Sequence, residues 1–302
     1  MRLLLVTPEL SPILKSGGIG EGLGALARAL SASGIEVTVL LPHHAQVAVD
    51  LPPREGTIQV GPHVFVARTG RVGPLEIATL DAPLVTGRAD LYGHDMNDDD
   101  NARRWGAFCR AAVEVAAWAV RKGSPFDVVH AHEWPCAMVP HLARERRREL
   151  GPTRTVLTMH NLAHQGVFGL GCLDALGLGP EHASPDRLGF HGHLNFLRGG
   201  IVSADALTTV SPTYAREILT PPDSEMLEDV LGARASDLVG LLNGIDDEIW
   251  DPRSDEAIAA RFGPDDRSGK AACKRALQRE LGLVATHHAG RDQFVDRGAA
   301  TG

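Results

Sequence analysis

The sequence predicts an α/β domain built on a doubly wound parallel sheet, and three observations carry that expectation. Short, fully apolar runs alternate with Ala- and Leu-rich helical segments, as they do where parallel strands are covered by helices on both faces. A glycine-rich stretch, Lys15-Ser-Gly-Gly-Ile-Gly-Glu-Gly-Leu-Gly24, lies between the first such run and an Ala/Leu-rich segment. Polar residues crowd the ends of the later runs, where ligand crevices lie in sheets of this kind.

Leu3 to Val6 reads as the first buried strand, and Gly22 to Ser33 as a helix ended by Gly34, whose missing Cβ suits a left-handed cap. Ile35 to Leu41 returns as a second buried strand and completes a β-α-β unit. From Pro52 to Leu80 the pattern changes to short β-type pieces, Thr57 to Val60, His63 to Arg68 and Leu75 to Thr79. They read as hairpin strands added to the main sheet. The acids Asp95-Met-Asn-Asp-Asp-Asp100 precede a helical stretch, Ala102 to Lys122. A calcium loop needs alternating ligands closed by a Glu, which is absent, so a solvated loop and helix cap is expected.

Phe126 to Val129 reads as a strand, Cys136 to Leu150 as a helix kinked near its start by Pro140, and Thr155 to Met159 as a strand. Leu194 to Ser203 is expected as a helix, Ala206 to Val210 as a strand, Pro212 to Leu219 as a helix capped by Ser211, and Leu238 to Leu242 as a strand. A looser region starts at Trp250-Asp-Pro252 and regains helical texture from Lys270 to Leu281. Periodicity is lost over 284–302, where little order is expected.

The glycine stretch reads as an anion site. Glycines let backbone N–H groups approach a ligand, the following helix aims its positive end at the same place, and Lys15 adds a full charge, so a phosphate or diphosphate is the natural guest. A flexible connection is the plainer reading. The lysine precedes the glycines, unlike that of a P-loop NTPase. Gly20-Glu-Gly22-Leu-Gly-Ala25 satisfies the dinucleotide spacing, but Pro8 to Ile19 separates it from the first strand, and no acid follows the second strand to meet a ribose.

At 302 residues the chain can hold one large or two ordinary domains, and its 43% hydrophobic and 23% charged residues are those of a soluble globular protein. A net charge of −8 argues against a nucleic-acid binder. No apolar run is long enough to span a membrane and no signal-peptide profile is seen, so a cytoplasmic chain is expected. Cys109, Cys136, Cys172 and Cys273 form no C-x-x-C pair and are expected as buried, unbridged thiols.

His130-Ala-His-Glu-Trp-Pro135 follows a strand. His130 and His132, two apart on extended chain, share a face and could be read as a metal pair, but the sequence places no third ligand. One structural and one site-facing histidine is the alternative. His160, Asn161, His164 and Gln165 crowd the end of the next strand, and Asn243-Gly-Ile-Asp246 a later one. All these strand ends should share one rim with the glycine stretch.

In these segments the chain resembles the bacterial glycogen synthases and plant starch synthases, retaining glucosyltransferases of the two-domain GT-B type. The resembling segments include Pro8-Glu-Leu-Ser-Pro with Lys15-Ser-Gly-Gly-Ile-Gly-Glu21, Asp127-Val-Val-His-Ala-His-Glu-Trp134 and Thr158-Met-His-Asn-Leu-Ala-His-Gln-Gly166. Asn195-Phe-Leu-Arg-Gly-Gly-Ile201, Thr208-Thr-Val-Ser-Pro-Thr-Tyr-Ala-Arg-Glu217 and Leu242-Asn-Gly-Ile-Asp-Asp-Glu-Ile-Trp-Asp-Pro252 follow in family order. The resemblance covers nearly all of residues 1–283.

What the resemblance implies is transfer of glucose from ADP-glucose to the non-reducing end of an α-1,4-glucan such as glycogen, with retention and without a metal or cofactor. Lys15 matches the family's nucleotide-sugar lysine, and Gly17 and Gly18 the backbone that approaches the diphosphate. His160 matches the histidine beside the transferred glucose, which orients the sugar and helps stabilise positive charge. Glu133 and Glu21 stand where the family has Asp, which keeps the charge and adds a methylene of reach. Asn161, Gln165 and Asn243 fall around the same pocket as sugar-binding amides. The resemblance implies a Rossmann-like N-terminal catalytic domain over 1–250, then a linker and helix over 251–283. The second nucleotide-binding domain of the family is not found in the sequence, so a truncated chain impaired in isolation is expected. A catalytically silent glucan-binding module is the chief alternative, and a metal hydrolase built on His130 and His132 a third.

Overall fold

The computed structural model describes residues 1–87, 90–92, 99–247 and 249–284. The chain divides into two compact units, Met1–Gly244 and Ile245–Gly302. Most of the acid run before Asp99, and the tail from residue 285 onward, lie outside the described residues.

In the first unit the strands are β1 (Arg2–Val6), β2 (Glu36–Pro42), β3 (Ile58–Val60), β4 (His63–Val72), β5 (Leu75–Asp81) and β6 (Val128–His132). They continue as β7 (Arg154–Met159), β8 (Val167–Gly169), β9 (Gly189–Phe190), β10 (His193–Asn195), β11 (Ala206–Thr209) and β12 (Leu238–Gly240). Among the described residues, nine of them form one sheet in the order β12-β11-β7-β6-β1-β2-β5-β4-β3. Neighbours from β12 through β5 run parallel, and β4 and β3 close the edge antiparallel. The α/β parallel sheet expected from the sequence is therefore present. The β3 and β4 pieces are hairpin additions as expected, whereas β5 also joins the parallel run through β2. Strands β8, β10 and β9 make a separate small antiparallel sheet that the sequence reading did not anticipate.

The central strands read as continuous apolar runs because both faces are covered. Leu4, Leu5 and Val6 of β1 and Val39, Leu40 and Leu41 of β2 are fully buried. Each such side chain stabilises the fold by about 1.5–3 kcal/mol relative to exposure. An aromatic cluster links the helix Asp99–Arg121 to the segment after β6, with Trp105 edge-on to Phe108 at 6.0 Å and to Trp134 at 6.1 Å. Gly166 at φ +65° is required here, since a Cβ would stand 2.5 Å from the Trp134 ring.

Several boundaries differ from the sequence reading for physical reasons. The first helix spans Gly18–Ala32 and not Gly22 to Ser33, so most of the glycine stretch is helix rather than loop. Its end is as expected, with Gly34 at φ +83°. Strand β6 runs on to His132, which puts His130 and His132 within the strand instead of after it. The expected helix Cys136 to Leu150 is broken into Glu133–Cys136, Met138–Glu145 and Arg147–Leu150. Pro140 lies in the first turn of the middle piece, where a missing N–H is harmless, and the interruption at Ala137 falls just before it, near the expected kink. The helix Phe196–Ser203 starts after β10, with Asn195 Oδ1 accepting from Arg198 N at 2.9 Å. Ser211 Oγ does accept from Tyr214 N at 2.9 Å, but the helix it precedes is only Tyr214–Glu217.

All four cysteines are free; Cys109, Cys136 and Cys172 are buried and Cys273 is half-buried. No helix among the described residues is long and apolar enough to cross a membrane. The second unit, taken by itself, carries the helix Ser268–Glu280, somewhat longer at its start than expected. Gly269 packs against the Arg261 carbonyl, where a Cβ could not fit, and Lys270 Nζ lies 5.5 Å from the Phe262 ring centroid.

Candidate active site

Strand β1 lies between β2 and β6, so the chain leaves β1 towards one side of the sheet and returns on the other. In open parallel sheets ligands bind outside the carboxyl ends of the strands at such a switch point. Thr7 to Glu9 leave β1 here, Glu133 follows β6, and His160 follows β7.

Glu9, only 1% exposed, organises the first side of this crevice. Its Oε2 accepts from Ser16 N at 2.6 Å, Ser16 Oγ at 3.1 Å and Gly17 N at 3.3 Å. The N–H groups of Ser16 and Gly17 are thus bound internally, and the anion reading falls on the helix start that follows. Gly17 caps that helix without a side chain. A Cβ at Gly17 or Gly18 would meet nothing within 4 Å, so the backbone there faces open space. Gly20 and Gly24 are glycine for a different reason: a Cβ would stand 3.0 Å from Glu9 Oε2 and 2.5 Å from the Ser11 carbonyl, respectively. Packing explains the second pair, and only the first leaves room for a ligand.

Exposed Lys15 pairs its Nζ with Glu21 Oε1 alongside the first helical turn. Asn243 lies over the same turn, its side chain 3.8 Å from where a Cβ on Gly22 would be. Lys15, Gly17, Gly18, Glu21 and Asn243 therefore gather at one helix end.

On the second side Glu133 holds φ +65°, a strained value for a residue with a Cβ. Its buried Oε1 accepts from His160 N at 2.5 Å and Asn161 N at 3.0 Å. Burial pushes this carboxyl up to about 7 despite those donors. His160 is half-buried and its Nε2 lies 3.2 Å from His132 Nδ1. Burial lowers His160 to about 4, so the ring is neutral at pH 7. Asn161 is exposed and its Oδ1 accepts from Ala163 N at 3.0 Å. Gln165 is turned inward: its Nε2 donates to Leu162 O at 3.0 Å and Glu225 O at 2.9 Å, and its Oε1 accepts from Asn195.

Tyr92 joins the two sides. Its hydroxyl donates to Glu9 Oε1 at 2.9 Å. Burial first, then the charges of Glu9 and Glu133, hold that hydroxyl well above the ordinary tyrosine range. Neither Tyr92 nor Glu9 stands out in the sequence: Glu9 lies in a resembling segment without a role of its own there, and Tyr92 carries no local motif.

The two strand histidines do share a face, with ring centroids 4.1 Å apart. Neither is site-facing in its own right: His130 Nε2 bonds Thr158 Oγ1 at 2.6 Å, and buried His132 bonds His160. No group of three or more His, Cys, Asp or Glu among the described residues could hold a metal ion. A cavity of about 640 Å³ exists elsewhere, at the amino ends of β1 and β6, lined by Arg2, Thr38, Trp118 and Phe126. It is mainly apolar, and it shares none of the residues gathered at the opposite rim.

A family model described as the starch synthase catalytic domain matches residues 2–233. The glycogen synthase of Anaeromyxobacter dehalogenans strain 2CP-1 is 43% identical over 292 residues, which are 94% of this chain and 60% of that protein. The glycogen synthase of Paracidovorax citrulli is 38% identical over 300 residues, or 94% of this chain and 58% of the relative. Among solved structures, the catalytic domain of starch synthase IV from Arabidopsis thaliana, bound to ADP and acarbose, matches with a TM-score of 0.82 at 28% identity. The match covers 95% of this chain and 60% of that one. The chain thus spans about 60% of the length of these relatives.

Proposed function

The chain belongs to the starch synthase catalytic-domain family, and on that premise we propose that it serves a glucosyltransferase that moves glucose from ADP-glucose to the non-reducing end of an α-1,4-glucan with retention. The convergence of the Gly18 helix start with Glu133 and His160 at the β1–β6 switch point supports this reading most. The leaving group departs as a diphosphate carrying extra negative charge. Fixed N–H dipoles at the helix start from Gly18, approached past the open space at Gly17, and the Lys15 ammonium stabilise that charge more in the transition state than in the ground state. His160 borders the transferred glucose, and Asn161 and Asn243 offer amides to sugar hydroxyls. Glu133 holds the turn that carries His160 and Asn161, so its part is to place them. Gln165 supports the wall of the site from behind. This machinery belongs to residues 1–250, with 251–283 as linker and helix.

Incubating the purified chain with labelled ADP-glucose and glycogen tests the reading. Label in glycogen supports it, and a chain that shows no incorporation and no glucan binding contradicts it. Glycogen retained without incorporation identifies a glucan-binding module instead.

A further inference from the structure

Three histidines stand one behind another at the ends of β6 and β7. The His130 and His132 rings stack at 4.1 Å, and His132 Nδ1 meets His160 Nε2 at 3.2 Å. His130 is itself held by Thr158, whose Oγ1 contacts Thr208 Oγ1 at 2.5 Å, so the His132 ring is backed by a bonded partner. Burial, assisted by the neighbouring rings, lowers His130 to about 4 and His132 well below its ordinary value. Each ring of the three is then neutral at pH 7 and carries a single N–H.

A bond between two neutral imidazoles can run in either direction. If His160 Nε2 donates, the one proton of His132 must sit on Nε2, and that atom is sealed from solvent with no partner among the described residues. A buried, orphaned N–H is among the rarest features of folded proteins. If His132 Nδ1 donates, Nε2 is left as a bare lone pair, and an unpaired acceptor is better tolerated. The second direction is favoured. It places the single proton of His160 on Nδ1, on a half-buried ring where that N–H is not a buried orphan.

We propose that His132 is a positioning residue for His160: it donates from Nδ1 to His160 Nε2, fixing His160 as the Nδ1–H tautomer that offers a donor to a sugar hydroxyl in the crevice. The use of that donor rests on the glucosyl-transfer reading above; the tautomer does not. With the opposite tautomer His160 would present a lone pair there and select a different hydroxyl geometry.

Nitrogen-15 NMR of the histidine-labelled full chain at pH 7 tests it, because protonated and bare ring nitrogens are well separated in shift. The expected result is a protonated Nδ1 on both His132 and His160. A bare Nδ1 on His160 with a protonated Nε2 overturns the proposal, and the wild-type spectrum decides this even if a variant fails to fold. His132→Asn, whose amide N–H stands near the place of Nδ1, is expected to keep the His160 tautomer, and His132→Leu to release it. Maltotriose is expected to shift the His160 Nδ1 signal in wild type and to bind about 10-fold more weakly to His132→Leu. A His160 in the Nδ1–H form that ignores maltotriose upholds the positioning and removes the sugar-site reading, so the two failures are distinguishable.

Discussion

Glu133 Oε1 accepts the backbone N–H of His160 at 2.5 Å, so the residue just after one central strand clasps the residue just after its neighbour. Burial holds this carboxyl at about 7 against an ordinary 4.5. Between those values the folded chain keeps a proton that the unfolded chain has released, so stability falls as pH rises through the window. The loss approaches roughly 3 kcal/mol above it. Glu133→Gln keeps an acceptor and has no proton to lose. Its stability relative to wild type is expected to rise between pH 5 and pH 8 in urea unfolding; parallel behaviour of the two proteins would contradict the shift.

The glycines divide into two kinds with opposite expected outcomes. Gly24→Ala pushes a Cβ to 2.5 Å from the Ser11 carbonyl and is expected to lower stability by about 1–3 kcal/mol. Gly18→Ala meets open space at a helical position, so stability is expected unchanged or raised by up to about 1 kcal/mol. ADP affinity should nonetheless fall in Gly18→Ala. Thermal unfolding and calorimetric titration with ADP check both, and a destabilised Gly18→Ala that still binds ADP normally reverses the assignment.

Tyr92→Phe removes the hydroxyl that donates to Glu9 Oε1. A buried carboxylate then loses a charge-assisted partner, with an expected cost of about 1.5–3 kcal/mol. Since Glu9 also binds the Ser16 and Gly17 N–H groups, amide exchange at those two positions should speed up. Unchanged exchange would show that Tyr92 does not brace the helix start.

Lys15 is paired with Glu21 alongside the helix start. Lys15→Ala is expected to weaken ADP binding about 10-fold or more, the range for a lost hydrogen bond to a charged group. Equal affinity in the variant would remove Lys15 from the site.

Much of the sheet was legible because its strands are buried on both faces and therefore read as unbroken apolar runs. The sequence predicts the helix start four residues late because glycine lowers helix propensity wherever it occurs. Contacts with Ser11 and Glu9, invisible in a linear pattern, are what admit Gly20 and Gly24 into the helix. Lys15, Glu133 and His160 stood out through their motifs. The Tyr92–Glu9 bond joins distant parts of the chain, and no local spacing announces it. Gln165 looked like a pocket amide from its neighbours at the end of β7, yet its bonds run inward to Leu162 and Glu225. His130 and His132 were legible as a shared face but not as a chain leading to His160, because β6–β7 pairing brings His132 opposite Thr158.

A crystal structure of the chain soaked with ADP-glucose tests the central claim most directly. The account expects the diphosphate within hydrogen-bond distance of the Gly18 N–H and of Lys15 Nζ, with the glucose against His160. A sugar nucleotide bound with its diphosphate away from that helix start, or its glucose far from His160, would contradict it.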